Sequence, residues 1–190
     1  MKSKKIILTL VQKYYWLLEK ISLPYFKKKY PLFLKKRGIN ISSDFYSEFG
    51  DAYIHPSCHF DGKDYSLITI GNNTTISKNV EILTHDYSIS KAMIKMGNYN
   101  KGGFFLKEVK IGKNCFIGAN VIILPGTKIG DNVIIGAGSV VKGNIEKNQV
   151  MAGNPLRAIM TIEEFYEIHE DRKDYLIYDY KSGDGEIIAK

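Results

Sequence analysis

The run Ile111-Gly-Lys-Asn-Cys-Phe-Ile117-Gly-Ala-Asn-Val-Ile-Ile123-Leu-Pro-Gly-Thr-Lys-Ile129-Gly-Asp-Asn-Val-Ile-Ile135-Gly-Ala-Gly-Ser-Val-Val141 carries an aliphatic residue at every sixth position. An earlier block repeats the spacing at Ile70, Ile76 and Ile82. With about a quarter of the chain Ile, Leu or Val, six hits in register arise by chance roughly once in several thousand trials. Gly follows directly at Gly71, Gly112, Gly118, Gly130 and Gly136. Three residues after each aliphatic stand Asn73, Asn79, His85, Asn114, Asn120, Gly126, Asn132, Gly138 and Asn144. All but His85 are Asn or Gly, the residues that best tolerate positive φ.

A period of six is neither helical nor that of a simple amphipathic strand. It suits a short strand followed by a sharp corner, repeated. The aliphatic points inward, and the small residue two before it (Cys115, Val121, Thr127, Val133, Ser139) shares the interior. Three such sides close a triangular coil of about 18 residues, and stacked coils pair their strands in parallel. The expectation is an all-β solenoid, a parallel β-helix of hexapeptide repeats, over residues 44–160. Cys115 is filler in its core.

Two segments depart from the period. Ser88 to Lys107 contains no hexad and reads as a loop extruded from the coil, since compact domains rarely keep long connections without a use for them. At the C-terminal end, Thr161 and Glu164 make a capping box that opens a helix of about ten residues or more. That helix, within a terminal unit of residues 161–190, is expected to cap the last coil, whose open edge would otherwise be unpaired. Residues 1–43 form a basic helical segment, with Tyr14, Trp16, Leu17, Leu18 and Ile21 on a candidate packing face. The stretch from Asp44 to Phe60 reads as an irregular first coil.

Charge is uneven: Met1 to Arg37 holds eleven Lys or Arg against one acid, Glu19, so this segment carries all of the chain's excess of +7 and the remainder is close to neutral. Lys-rich helices bearing Tyr14, Tyr15 and Trp16 either pack on the base of the solenoid or rest on the inner face of a membrane. No run is long and apolar enough to span a bilayer, and no secretory cleavage site is evident. Cys58 and Cys115 do not make a disulfide framework. A cytoplasmic protein is expected, with peripheral contact at the inner membrane as its one membrane option and no nucleic-acid partner.

His85, the one corner that breaks the rule, stands immediately before the extruded loop. A corner side chain points away from the core, and an exposed imidazole with a partner can take a proton from a hydroxyl. Asp86 could fix its tautomer, or a backbone carbonyl could do so instead. His85 also reads as an ordinary turn residue.

The run quoted above, followed by Met151-Ala-Gly-Asn-Pro-Leu-Arg157, resembles the hexapeptide-repeat acyltransferases. Within them it looks like the maltose and galactoside acetyltransferases and the O-acetyltransferases of capsule and lipopolysaccharide sugars. The resemblance covers about Ile68 to Ile159 and implies a left-handed coil, acetyl-CoA as acetyl donor, and a carbohydrate acceptor. It implies His85 as the catalytic base. It also implies Ala119 and Ala137 beside the pantetheine arm, and Arg157 on the nucleotide phosphates. Phe116 stands where many relatives have Trp beside the thioester. Lys142 replaces a common Thr and remains able to meet phosphate, while Met160 replaces a basic residue. His59 falls near an acceptor-binding position. A homotrimer is implied, with His85 and the loop of one chain facing the coenzyme coils of the next.

The reaction expected is direct transfer to a sugar hydroxyl, of a cell-surface polysaccharide or its precursor, with no metal. A covalent cysteine route is disfavoured by the inward position of Cys115. Three other readings stay open. An N-acetyltransferase of a nucleotide-linked amino sugar often carries a Gly-rich dinucleotide-fold domain, absent here. A metal-dependent carbonic anhydrase needs three convergent histidines, and His55 and His59 are not spaced to supply two. A non-enzymatic β-helix would leave Ala119, Ala137 and Arg157 without purpose.

Overall fold

The computed structural model describes residues 2–42, 45, 52–62, 64–179 and 186–189. Two helices, α1 (Lys2–Ile21) and α2 (Leu23–Lys36), precede the solenoid. Its first coil holds β1 (Asn40–Ile41), β2 (Tyr53–Ile54) and β3 (His59–Phe60). Of the expected irregular first coil from Asp44 to Phe60, residues 44 and 46–51 lie outside the described residues. The second coil holds β4 (Ile68–Ile70), β5 (Thr75–Ile76) and β6 (Glu81–Ile82). An excursion follows: β7 (His85–Asp86), α3 (Ser88–Lys95) and β8 (Phe105–Leu106). The third coil is β9 (Val109–Ile111), β10 (Phe116–Ile117) and β11 (Ile122–Ile123). The fourth is β12 (Lys128–Ile129), β13 (Ile134–Ile135) and β14 (Val140–Val141). The fifth begins with β15 (Asn144–Ile145) and β16 (Gln149–Ala152), then turns back as β17 (Arg157–Thr161) into α4 (Ile162–Arg172).

Strands of successive coils pair in parallel along three faces: β1-β4-β9-β12-β15 on the first, β2-β5-β10-β13-β16 on the second, β3-β6-β11-β14 on the third. The register sets aliphatic on aliphatic, as in Ile76 with Ile117 and Ile117 with Ile135. Every inward Ile and Val of these columns is buried, as are Cys115, Val121, Thr127, Val133 and Ser139 between them. Each such Ile contributes about 1.5–3 kcal/mol of apolar burial, which makes the column the main cohesive element.

The first edge, joining the first and second faces, turns at Asn73, Asn114, Asn132 and Asn148, all at φ between 52° and 60°. The second edge turns at Asn79, Asn120 and Gly138, again at positive φ. The third edge carries His85, Gly126 and Gly143. One expected corner is corrected: after Val141 the turn falls on Gly143 at φ 86°, and Asn144 instead opens β15. Gly reaches left-handed φ without a Cβ clash, so the hexad closes one residue early there.

The extruded segment is not a structureless loop. α3 occupies its first part and ends at Gly97, φ 86°, while β7 and β8 pair antiparallel as its stem. At the far end, the outer edge of the second face is covered by β17, which pairs antiparallel with β16. α4 then packs against β16 and β17 behind the expected capping box, in which Thr161 Oγ1 accepts from the Glu164 N–H at 3.1 Å. Strand rather than helix therefore blunts that edge.

The N-terminal packing face also differs from expectation. Tyr15 and Leu18 pack on the core, together with buried Phe26, Tyr30 and Leu34 of α2. Tyr14, Trp16, Leu17 and Ile21 are exposed. At 3.6 residues per turn Tyr15 and Leu18 lie toward the Glu19 side of α1, and Tyr14, Leu17 and Ile21 do not. Glu19 accepts a hydrogen bond from the Tyr53 hydroxyl and lies 3.8 Å from His55 Nε2, which fastens α1 to the first coil. Among the described residues no helix is long and apolar enough to cross a membrane.

Candidate active site

His85 is the first residue of the excursion and is fixed from three directions. Its backbone joins the antiparallel stem opposite Leu106, and the Lys107 N–H donates to Thr84 O at 2.9 Å across the base. Its Nδ1 lies 2.5 Å from Asp61 Oδ2. Its ring meets the Tyr87 ring edge-on at 5.3 Å, and Tyr87 in turn packs on Phe104 at 5.1 Å. The imidazole side chain keeps 32% of its surface exposed. A ring whose Nδ1–H is held by a carboxylate has its Nε2 lone pair pointing outward and able to accept a proton.

Asp61 follows Phe60 at the third edge of the first coil and is 8% exposed. Besides His85 it accepts from the backbone N–H groups of Thr84, at 3.1 Å, and His85, at 3.3 Å. A buried carboxylate needs such donors, and here they tie one coil to the turn of the next. The partner at Nδ1 is thus neither Asp86 nor a backbone carbonyl. Asp86 faces the other way, accepting from the Ser88 N–H at 2.7 Å in the first turn of α3. That hydrogen bond, assisted by nearby Lys142 and His85, holds its carboxyl below the usual range.

Asp61 was missed in the sequence because the first coils are out of phase. Phe60 pairs with Ile82, and Ile82 with Ile123, neither at the eighteen-residue step that links Ile117 to Ile135. The available signal was an acid directly after an inward aromatic, where other coils place Leu83, Leu124 and Lys142.

The other sequence-chosen residues fall into two groups. Ala119 and Ala137 occupy the second edge on consecutive coils, joined by the Gly138 N–H donating to Ala119 O at 2.9 Å. A Cβ on Gly118 would lie 2.5 Å from Ala137 N, so Gly118 itself must carry no side chain for the coils to stack. Exposed Arg157 stands at the end of the same edge, opposite Ala152 in the β16–β17 ladder. Phe116 projects from the second face just before this edge, 44% exposed. Lys142 is not with them: it lies on the third edge, close enough to Asp86 to affect its titration. His59 projects outward from the third face, exposed, in register with Glu81. Within one chain, then, the His85–Asp61 pair and the Ala119–Ala137–Arg157 set occupy different edges of the prism.

His55 does not join His85: its Nδ1 lies 2.7 Å from Ser57 Oγ and its Nε2 faces Glu19. Among the described residues no three His, Cys, Asp or Glu are grouped to hold a metal ion. Burial raises the Cys115 thiol to about 11, which leaves it protonated and unreactive near neutral pH.

Residues 108–143 match the model of the bacterial transferase hexapeptide family (six repeats). Protein CapG of Staphylococcus aureus is 36% identical over 154 residues, an alignment that covers 76% of this chain and 85% of CapG. The chain belongs to the hexapeptide-repeat acyltransferase family. A protein of Escherichia coli named as a lipopolysaccharide-biosynthesis O-acetyl transferase is 33% identical over 69% of this acyltransferase chain and 76% of its own. The chain spans less of some other relatives, 51% and 61% of two of them. A solved galactoside acetyltransferase, in complex with coenzyme A, superimposes with a TM-score of 0.52 at 24% identity, covering 82% of this chain and 84% of that one. That likeness establishes the shared left-handed parallel β-helix fold.

Proposed function

We propose that this acyltransferase transfers acetyl from acetyl-CoA to a sugar hydroxyl, of a cell-surface polysaccharide or its precursor. The observation that carries the reading is the His85 imidazole, clamped at Nδ1 by Asp61 and open at Nε2. The names of its relatives, among them a lipopolysaccharide-biosynthesis O-acetyl transferase and a galactoside O-acetyltransferase, support a carbohydrate acceptor.

His85 Nε2 takes the proton of the acceptor hydroxyl as its oxygen attacks the thioester carbonyl. Negative charge then gathers on the carbonyl oxygen and is met by a backbone N–H. On the second edge the amides flanking Ala119 are committed, Gly118 to Ile135 O at 2.8 Å and Asn120 to Lys78 O at 3.0 Å. The Ala119 N–H is the donor we assign. Collapse breaks the C–S bond, and the protonated His85 returns its proton to the departing thiolate. The strip of small residues through Gly118, Ala119, Gly136 and Ala137 fits a narrow pantetheine arm, and Arg157 at its end fits the nucleotide phosphates. Lys142, set beside Asp86, serves the acceptor side in this arrangement, together with His59.

Because base and coenzyme strip sit on different edges, the reading requires a second copy of the chain to bring them together, as in a cyclic homotrimer. The excursion beside His85 exposes Tyr87, Ile94, Met96, Tyr99 and Phe104, an apolar set of the kind a neighbouring subunit covers. We place the reaction in the cytoplasm, where the two buried free thiols stay reduced.

The test is acetyl-CoA consumption against a panel of free, nucleotide-linked and polymeric sugars. O-acetyl ester formation on a member of the panel supports the reading. Amide formation on an amino sugar, or no turnover alongside no stabilisation by coenzyme A, overturns it.

A further inference from the structure

α1 has two apolar faces, and the solenoid uses only one. Tyr15 and Leu18 pack inward. Leu10, Tyr14, Leu17 and Ile21 are 60%, 53%, 54% and 72% exposed. Their spacing of four, three and four residues places them in one straight stripe along the helix. Lys13 and Lys20, a heptad apart, line one flank of this stripe, and Lys20 Nζ sits 3.7 Å above the Trp16 ring. On α2 the exposed face repeats the pattern. Tyr25 and Leu32, 48% and 52% exposed, lie between Lys28 and Lys35 on one side and Lys29 and Lys36 on the other. Glu19, the one acid of residues 1–37, is turned inward to Tyr53 and His55. The outer surface of the helix pair is therefore apolar and cationic, with no carboxylate of its own.

We infer that the α1–α2 hairpin is a docking surface for an anionic lipid bilayer, on which both helices lie in the plane of the headgroups. Charge complementarity selects this occupant. A second copy of the hairpin would set lysine against lysine across the contact, and a nucleic-acid backbone would satisfy the lysines but leave the Leu10–Ile21 stripe in water. A bilayer with anionic headgroups takes both at once: Leu10, Tyr14, Leu17 and Ile21 reach the acyl boundary while the flanking lysines meet headgroup phosphates. Trp16 stacked beneath Lys20 suits the interface between the two. The stripe is about 16 Å long at 1.5 Å per residue, so it fits a helix lying flat and not one crossing.

The experiment is co-sedimentation of the full chain with vesicles of phosphatidylcholine alone, and of phosphatidylcholine with phosphatidylglycerol. The expected result is binding to the anionic vesicles that is at least about tenfold weaker on neutral ones. It falls away as salt shortens the screening length to about 3 Å near 1 M. The double variants Leu17→Glu/Ile21→Glu and Lys13→Glu/Lys20→Glu lose binding while oligomer size and melting temperature stay those of the parent. Equal binding to both vesicle types, or parental binding by the Leu17→Glu/Ile21→Glu chain, overturns the inference. So does a change of oligomer size in that variant, which would mean that the stripe is covered by another chain.

Discussion

The first and third edges of the solenoid use polar side chains in opposite ways. On the first edge Asn73, Asn114, Asn132 and Asn148 form a ladder, each amide bonded to the next at 2.8, 2.9 and 2.8 Å. These side chains are occupied with one another along the axis, the buried Asn73 Oδ1 at the end of the ladder having no partner among the described residues. On the third edge the ladder is absent. His85 takes the corner of the second coil, and its imidazole Nδ1 bonds down to Asp61 of the first. A corner residue bonded on one side only keeps a functional atom free. The same backbone geometry thus serves cohesion on one edge and, on the proposed reading, chemistry on the other.

The largest expected effect lies on the third edge. His85→Ala should lower kcat by about 10²–10⁴-fold, far more than the fall in folded fraction that follows from taking one donor away from buried Asp61. Asp61→Asn should cost about 10–100-fold, because the imidazolium formed in the reaction exchanges a charged acceptor for a neutral one, a difference of about 1.4–2.7 kcal/mol. The amide oxygen takes the place of Oδ2, where the Thr84 and His85 N–H groups donate, so the ring stays oriented and only the negative charge is lost. Steady-state kinetics should show this as a fall in kcat with the acetyl-CoA KM retained; a loss confined to KM would place Asp61 in binding.

On the first edge the expected effects are on stability alone. Asn114→Ala removes two ladder bonds and forces Ala to φ 52°, at about 2 kcal/mol by denaturant titration. Asn114→Gly should recover about half of this, since only the backbone part is relieved. Activity should follow the folded fraction in both. The smallest effect is Thr161→Ala, which opens the capping box of α4 for about 1 kcal/mol and leaves both edges intact.

The legible parts of this molecule were those where a local rule repeats. Inward Ile and corner Asn follow from the six-residue period, because each corner needs positive φ and each side needs one buried aliphatic. His85 stood out as the single exception to the corner rule. Asp61 was invisible for the complementary reason: its importance comes from a contact between coils whose spacing in sequence is irregular. α3 was hidden by a short amphipathic segment inside a stretch rich in Gly, though Gly97 at its end was a readable stop signal. The division of α1 into Tyr15–Leu18 and Leu10–Ile21 faces depended on where α2 docks, which no local pattern in α1 records.

The separation of the two functional groups onto different edges is tested most directly by mixing inactive chains. His85→Ala protomers and Ala119→Trp protomers, each inactive alone, should regain activity when refolded together, toward about one quarter of the parental level for random cyclic assembly. Mixed assemblies that form yet stay inactive would show that base and coenzyme strip never meet across subunits, and would contradict the account.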